Sequence, residues 1–152
     1  MDFIELFYSW AVALDLYSPN LDTFLVSTDS GMNYVILFMI SLGITLLCLV
    51  VYYIWPDRPG WAKKRYWFLT MAISAVITFI FSSQTVLQNQ MDGLTGEVNQ
   101  ATGHTEQLVS EMDCWMFGLS DTILFIIIFF VLSFLIRLGS TNNRYMPFYI
   151  KK

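Results

Sequence analysis

Three long charge-poor runs constrain this chain more than any other feature. Residues 34–55 are 22 consecutive positions without a charge, and about 20 suffice to cross ~30 Å of hydrocarbon as a helix. Residues 67–86 make a second charge-free run, more polar because it carries Thr70, Ser74, Thr78, Ser82, Ser83, Gln84 and Thr85. Residues 115–138 make the third, almost purely aliphatic and aromatic between Ile123 and Leu132. Asp121 and Arg137 lie near its ends, where each is expected to reach an interface, Arg137 by extending its stem. Composition agrees: only 13% of the 152 residues are charged, against about 25% in soluble domains, and a chain this small has too much surface to hide the remainder in a water-soluble core. The expected fold class is therefore an all-α integral membrane protein with three transmembrane helices.

Charge orients the three spans. All eight basic residues fall in two segments. Residues 56–66 hold Arg58, Lys63, Lys64 and Arg65 against the single acid Asp57, and the third span and tail supply Arg137, Arg144, Lys151 and Lys152. Residues 1–33 carry Asp2, Glu5, Asp15, Asp22 and Asp29, and residues 87–118 carry Asp92, Glu97, Glu106, Glu111 and Asp113, with no Lys or Arg in either. By the positive-inside rule the basic segments are cytoplasmic, so the amino terminus lies outside and the carboxyl terminus inside. Tyr52, Tyr53, Trp55, Trp61, Tyr66 and Trp67 read as the inner aromatic girdle, Tyr34 and Trp115 as the outer one. The expected organisation is an outer segment (1–33), first span (34–55), basic cytoplasmic loop (56–66), second span (67–86), outer loop (87–114), third span (115–138) and cytoplasmic tail (139–152). A bacterial inner membrane is the expected location.

Two outer segments carry further pattern. Residues 3–17 are apolar but interrupted by Glu5 and Asp15. At 15 residues, or about 22 Å, they are short for a span. They are expected to form a helix lying in the outer interface or against the bundle, ended by Ser18, Pro19 and Asn20. In the outer loop, Leu87, Met91, Leu94, Val98, Ala101, Thr105, Leu108 and Met112 alternate in steps of four and three, a heptad register. Both ends must return to one membrane face, so the pattern predicts a helical hairpin with its turn near Gly103.

Candidate functional residues follow from these faces. Thr70, Ser74, Thr78 and Ser82 recur every four residues, and Ser41, Thr45, Cys48 and Tyr52 form a companion stripe on the first span. Such hydroxyls can line a wetted pore or form a close-packed helix seam. The acids Asp92, Glu97, Glu106 and Glu111 would draw cations to a pore mouth, although the positive-inside rule alone produces the same asymmetry. Arg58, Lys63, Lys64 and Arg65 could hold anionic lipid headgroups. The one histidine, His104, sits in the outer loop, and no HExxH, CxxC, GxSxG or glycine-rich phosphate cradle accompanies it. Neither enzymatic chemistry nor a cofactor or metal is expected, and the net charge of -4 argues against nucleic acid. Cys48 and Cys114 sit at different depths and read as free thiols rather than a disulfide. Two function classes remain. One is a homo-oligomeric ion channel or permeabilising effector whose second spans surround a pore. The other is a non-conducting membrane subunit, either a scaffold or accessory chain or an immunity protein against a pore-forming toxin.

Overall fold

A computed structural model of the chain describes residues 3–26, 33–53, 64–91, 96–98, 105–107 and 109–136. In chain order the elements are α1 (Phe3–Ala13), α2 (Pro19–Val26), α3 (Tyr34–Tyr53), α4 (Lys64–Met91), β1 (Gly96–Val98), β2 (Thr105–Gln107) and α5 (Glu111–Ile136). Three of them, α3, α4 and α5, are long and apolar enough to cross a membrane. At 20, 28 and 26 residues they run about 30, 42 and 39 Å. This is a membrane protein with three candidate transmembrane helices.

Local chemistry sets the helix ends. The residues expected to form one helix over 3–17 instead close α1 at Ala13. Asp15 takes a left-handed φ of 50°, its N–H bonds Val12 O at 3.0 Å, and the Leu16 N–H reaches back to Ala11 O at 3.1 Å. That pair of bonds is the Schellman stop, with an aspartate tolerated where glycine is commoner. Ser18, Pro19 and Asn20, expected to end that helix, begin a second one: Ser18 Oγ accepts from the Leu21 N–H, and Pro19 occupies the first helical position, where no amide is needed. Asn33 caps α3 through the Ile36 N–H at 3.1 Å. Ser110 and Asp113 cap α5 reciprocally: Ser110 N–H donates to Asp113 Oδ2 and Asp113 N–H to Ser110 Oγ.

The span helices bury one face each and leave the rest to lipid. On α5 the inward positions are Cys114, Gly118, Asp121, Phe125, Phe129 and Ser133, spaced by three and four as a helix stripe requires. Exposed positions of the same helices are aliphatic or aromatic, such as Met39, Leu47, Phe68, Val76, Ile127 and Leu135. The closest pairing is α4 with α5, and α3 packs on both. Gly118 is the point of nearest approach: a Cβ there would stand 3.0 Å from Ser83 Cβ and 3.1 Å from Ser83 N. By contrast, a Cβ on Gly43 would meet nothing within 4 Å.

Two expectations need correction. The heptad pattern does not make a helical hairpin: α4 continues outward only to Met91, and β1 and β2 then pair antiparallel with Glu97 opposite Glu106. Of the register positions whose side chains are described, Leu87 is half-buried and Met91 and Met112 are 67% and 68% exposed. Gly93 and Gly96, both poor helix residues, stand inside the register, Gly96 as the first residue of β1. The turn near Gly103 lies outside the described residues.

The aromatic girdles also read differently. Tyr52, Tyr53 and Trp67 are 1%, 0% and 2% exposed, so they pack inward as a core with Leu49 and Phe129. Tyr34, assigned to the outer girdle, is likewise buried, under α1. Tyr66 is half-buried and Trp115 is exposed, while Trp55 and Trp61 lie outside the described residues.

Candidate functional site

The two hydroxyl stripes face inward within a single protomer. Ser41 and Thr45 of α3, with Ser74, Thr78 and Ser82 of α4, are all buried. Thr70, one turn further along, is half-buried and returns its hydroxyl to Tyr66 O at 2.9 Å. Cys48 of α3 and Ser74 of α4 are near neighbours across the two stripes. Within the protomer these hydroxyls lie between helices rather than on the exposed surface. Small side chains let helices approach closely, and in hydrocarbon each buried hydroxyl gains from finding a partner in the bundle.

Asp121 lies at the focus of this arrangement. It was expected near an interface because it stands early in the third apolar run. Yet α5 begins at Glu111, which makes Asp121 the eleventh helical residue, about 15 Å along the axis, and its side chain is 0% exposed. Three hydroxyls from three different helices surround it. Tyr8 Oη of α1 donates to Oδ1 at 2.6 Å, Ser41 Oγ of α3 donates to Oδ2 at 3.0 Å, and Ser82 Oγ of α4 donates to Oδ2. An ionised carboxylate is an acceptor only, so three donors converging on it suit the charged form. The Tyr8, Tyr34 and Phe117 rings form a three-membered cluster, with Tyr8 centroids 4.7 Å from Tyr34 and 5.8 Å from Phe117 and the latter two 6.1 Å apart. This contact locks α1 onto the bundle.

Inward from this carboxylate, Thr45 follows Ser41 and Thr78 precedes Ser82, each by one helical turn on the same face. Both threonines are 0% exposed, and neither Oγ1 has a hydrogen-bond partner. This is unusual, because helical threonines can bond the carbonyl four residues back, as Thr70 and Thr122 do here. At the far end a second polar knot forms around Ser133, whose Oγ takes the Trp67 Nε1–H at 3.0 Å and pairs with Tyr53 Oη at 2.6 Å.

At the α1 end a third chain of groups ties the short helices down. Tyr34 Oη donates to Asp22 Oδ1 at 2.6 Å, which leaves Tyr17 Oη to donate to Tyr34 Oη at 2.9 Å. Burial pushes the Tyr17 phenol up from 10.0 to about 12. Asp113 Oδ1 accepts the Ser18 N–H at 3.1 Å, so one carboxylate both caps α5 and holds the α1–α2 turn. Gln90 Nε2 donates to Val109 O at 2.7 Å, closing the start of α5 against the outer part of α4.

The remaining sequence candidates do not join this site. Glu97 and Glu106 are opposite one another in the ladder, and Glu111 is exposed in the first turn of α5. Lys64 and Arg65 are exposed at the start of α4. Asp92, Arg58 and Lys63 lie outside the described residues, as do Arg137 and the tail. Among the described residues no group of three His, Cys, Asp or Glu side chains could hold a metal ion.

Sequence reasoning missed the convergence on Asp121. The available signal was the triplet Ser120-Asp121-Thr122 inside an aliphatic run, with Asp121 three residues from Gly118 on one face. Set against known proteins, the chain matches no protein family, no curated protein and no solved structure.

Proposed function

We propose that this chain is a non-conducting membrane subunit, an accessory or scaffold chain that works by contact with a different protein. The observation that supports this over a channel is the burial of Ser74, Thr78, Ser82, Ser41 and Thr45 inside the protomer. A pore between copies needs a wetted face, and apart from Gln84 and Gln88 near the end of α4 the exposed positions along the middle of the three spans are overwhelmingly apolar. In this reading the β1–β2 ladder and α2 face the outside of a plasma membrane, while Lys64 and Arg65 meet the cytoplasmic lipid headgroups. Immunity against a pore-forming toxin is one form such a subunit could take, since blocking a pore requires contact within the bilayer and no conduction.

Two measurements test the reading together. Purified chain reconstituted in liposomes is expected to give no ion flux above that of empty liposomes. In gently solubilised native membranes it is expected to migrate with a different polypeptide at fixed stoichiometry. Unitary currents from the purified chain, or native complexes built only of this chain, would refute the proposal.

A further inference from the structure

A carboxylate buried in hydrocarbon is a charge without a solvent, and here no described lysine, arginine or histidine stands against it. The groups acting on Asp121 are the hydroxyls of Ser82, Tyr8 and Ser41, with the Tyr17 phenol at longer range. These come from α4, α1, α3 and the α1–α2 turn, every one of them neutral when protonated. A buried charge without a counter-ion costs several kcal/mol even after relaxation; the three hydroxyl donors lower that cost without cancelling the charge, which a bound cation would do. Five hydroxyl oxygens are at hand. Three touch the carboxylate, and the two others, on Thr45 and Thr78, lie one turn inward, enclosed and without partners. Carboxylate and hydroxyl oxygens are the ligands that hard cations take.

We infer that Asp121, with Ser41 and Ser82, is a binding site for a monovalent cation, either a proton or a sodium ion, closed on the α1 side by Tyr8. The proton and the sodium ion share one chemistry here, neutralisation of the carboxylate among oxygen ligands. Tyr8 is the closing group because it alone reaches the carboxylate from outside the three span helices. Its ring packs against both Tyr34 and Phe117, so loss of the hydroxyl alone leaves the closure in place but weakened. Exchange at this site requires no conduction across the bundle, so the proposal stands apart from the function proposed above.

The test uses N,N′-dicyclohexylcarbodiimide, a membrane-soluble reagent that adds to protonated carboxyl groups in apolar surroundings. Full-length chain in nanodiscs is treated across a pH series from about 5 to about 9, and adduct on the peptide containing Asp121 is measured by mass. A proton site gives labelling that falls about tenfold per pH unit above its midpoint, as a one-proton ionisation requires, with sodium and choline chloride equivalent. A sodium site gives, in addition, protection by sodium chloride at fixed pH that potassium and choline do not match. Tyr8→Phe, which keeps the ring, is expected to label several-fold faster than the natural chain in either case. The inference is overturned if the Asp121 peptide stays unlabelled throughout in both proteins, or if its labelling ignores both pH and sodium. Either result would leave the flux and stoichiometry measurements on the subunit reading unaffected.

Discussion

Replacing Gly118 by alanine tests whether α4 and α5 are as close as the structure has them. The added Cβ would stand 3.0 Å from Ser83 Cβ and 3.1 Å from Ser83 N. Ordinary carbon contacts lie at about 3.5–4.0 Å, so the helices must part by roughly half an ångström. Rotation of the Ser83 hydroxyl cannot relieve this, because its Cβ and backbone nitrogen are themselves too near. Gly43→Ala is the matched control, since its Cβ meets nothing within 4 Å. Both substitutions gain the same helix propensity, about 0.8–1.0 kcal/mol, so that contribution cancels between them. What remains is the overpacking at position 118, about 1–3 kcal/mol. Unfolding by sodium dodecyl sulfate from mixed micelles, followed by helix circular dichroism, should therefore rank Gly43→Ala above Gly118→Ala by that margin. Adding Ser83→Gly should restore much of the loss, a coupling that a double-mutant cycle reads directly. Equal stability of the two alanine variants would refute the close approach.

Three further outcomes follow from particular contacts. Ser133→Ala removes the acceptor of the buried Trp67 indole N–H and should cost about 1–2 kcal/mol, while Ser133→Thr keeps most of it; the same detergent titration and tryptophan emission report both. Tyr17 is raised from 10.0 to about 12 by burial, so its contribution to stability is fully present below about pH 10 and is lost as pH climbs through about 12. Alkaline unfolding should accordingly be shallower in Tyr17→Phe, and an unchanged profile would contradict the buried phenol. Glu97 and Glu106 are like charges directly opposite in the ladder, so Glu106→Lys should slow amide exchange at Val98 and Thr105 by an amount worth about 0.2–1 kcal/mol.

What the sequence disclosed and what it concealed divide along physical lines. The three spans were legible because hydrocarbon thickness imposes a length and excludes charge, a constraint that acts on each run alone. The inward faces of α3 and α4 were legible as stripes of Ser and Thr at four-residue spacing, but spacing cannot tell a face that meets water from one that meets another helix. That distinction depends on what packs opposite, here Gly118 and Asp121 of α5. Asp121 was expected to reach an interface from its place early in the apolar run, but Tyr8, Ser41 and Ser82 enclose it from three other helices, a convergence that no single run discloses. In the outer loop the alternation of four and three was real in the sequence but unsupported by local propensity, with Gly93 and Gly96 inside it. The aromatic residues near the span ends misled for the opposite reason: Tyr and Trp suit a membrane interface, yet they also fill a core when a serine such as Ser133 answers their polar ends.

The hydroxyl faces of α3 and α4 meet inside one protomer, and the native Cys48 supplies one of the two thiols that test this. Cys48 and Ser74 are near neighbours between α3 and α4, so Ser74→Cys, in a chain with Cys114 replaced by alanine, brings two thiols close together. Mercuric ion or mild oxidation in membranes should consume both thiols and leave a product that migrates as a monomer. A dimer linked through these positions would put the stripe between copies and contradict the account.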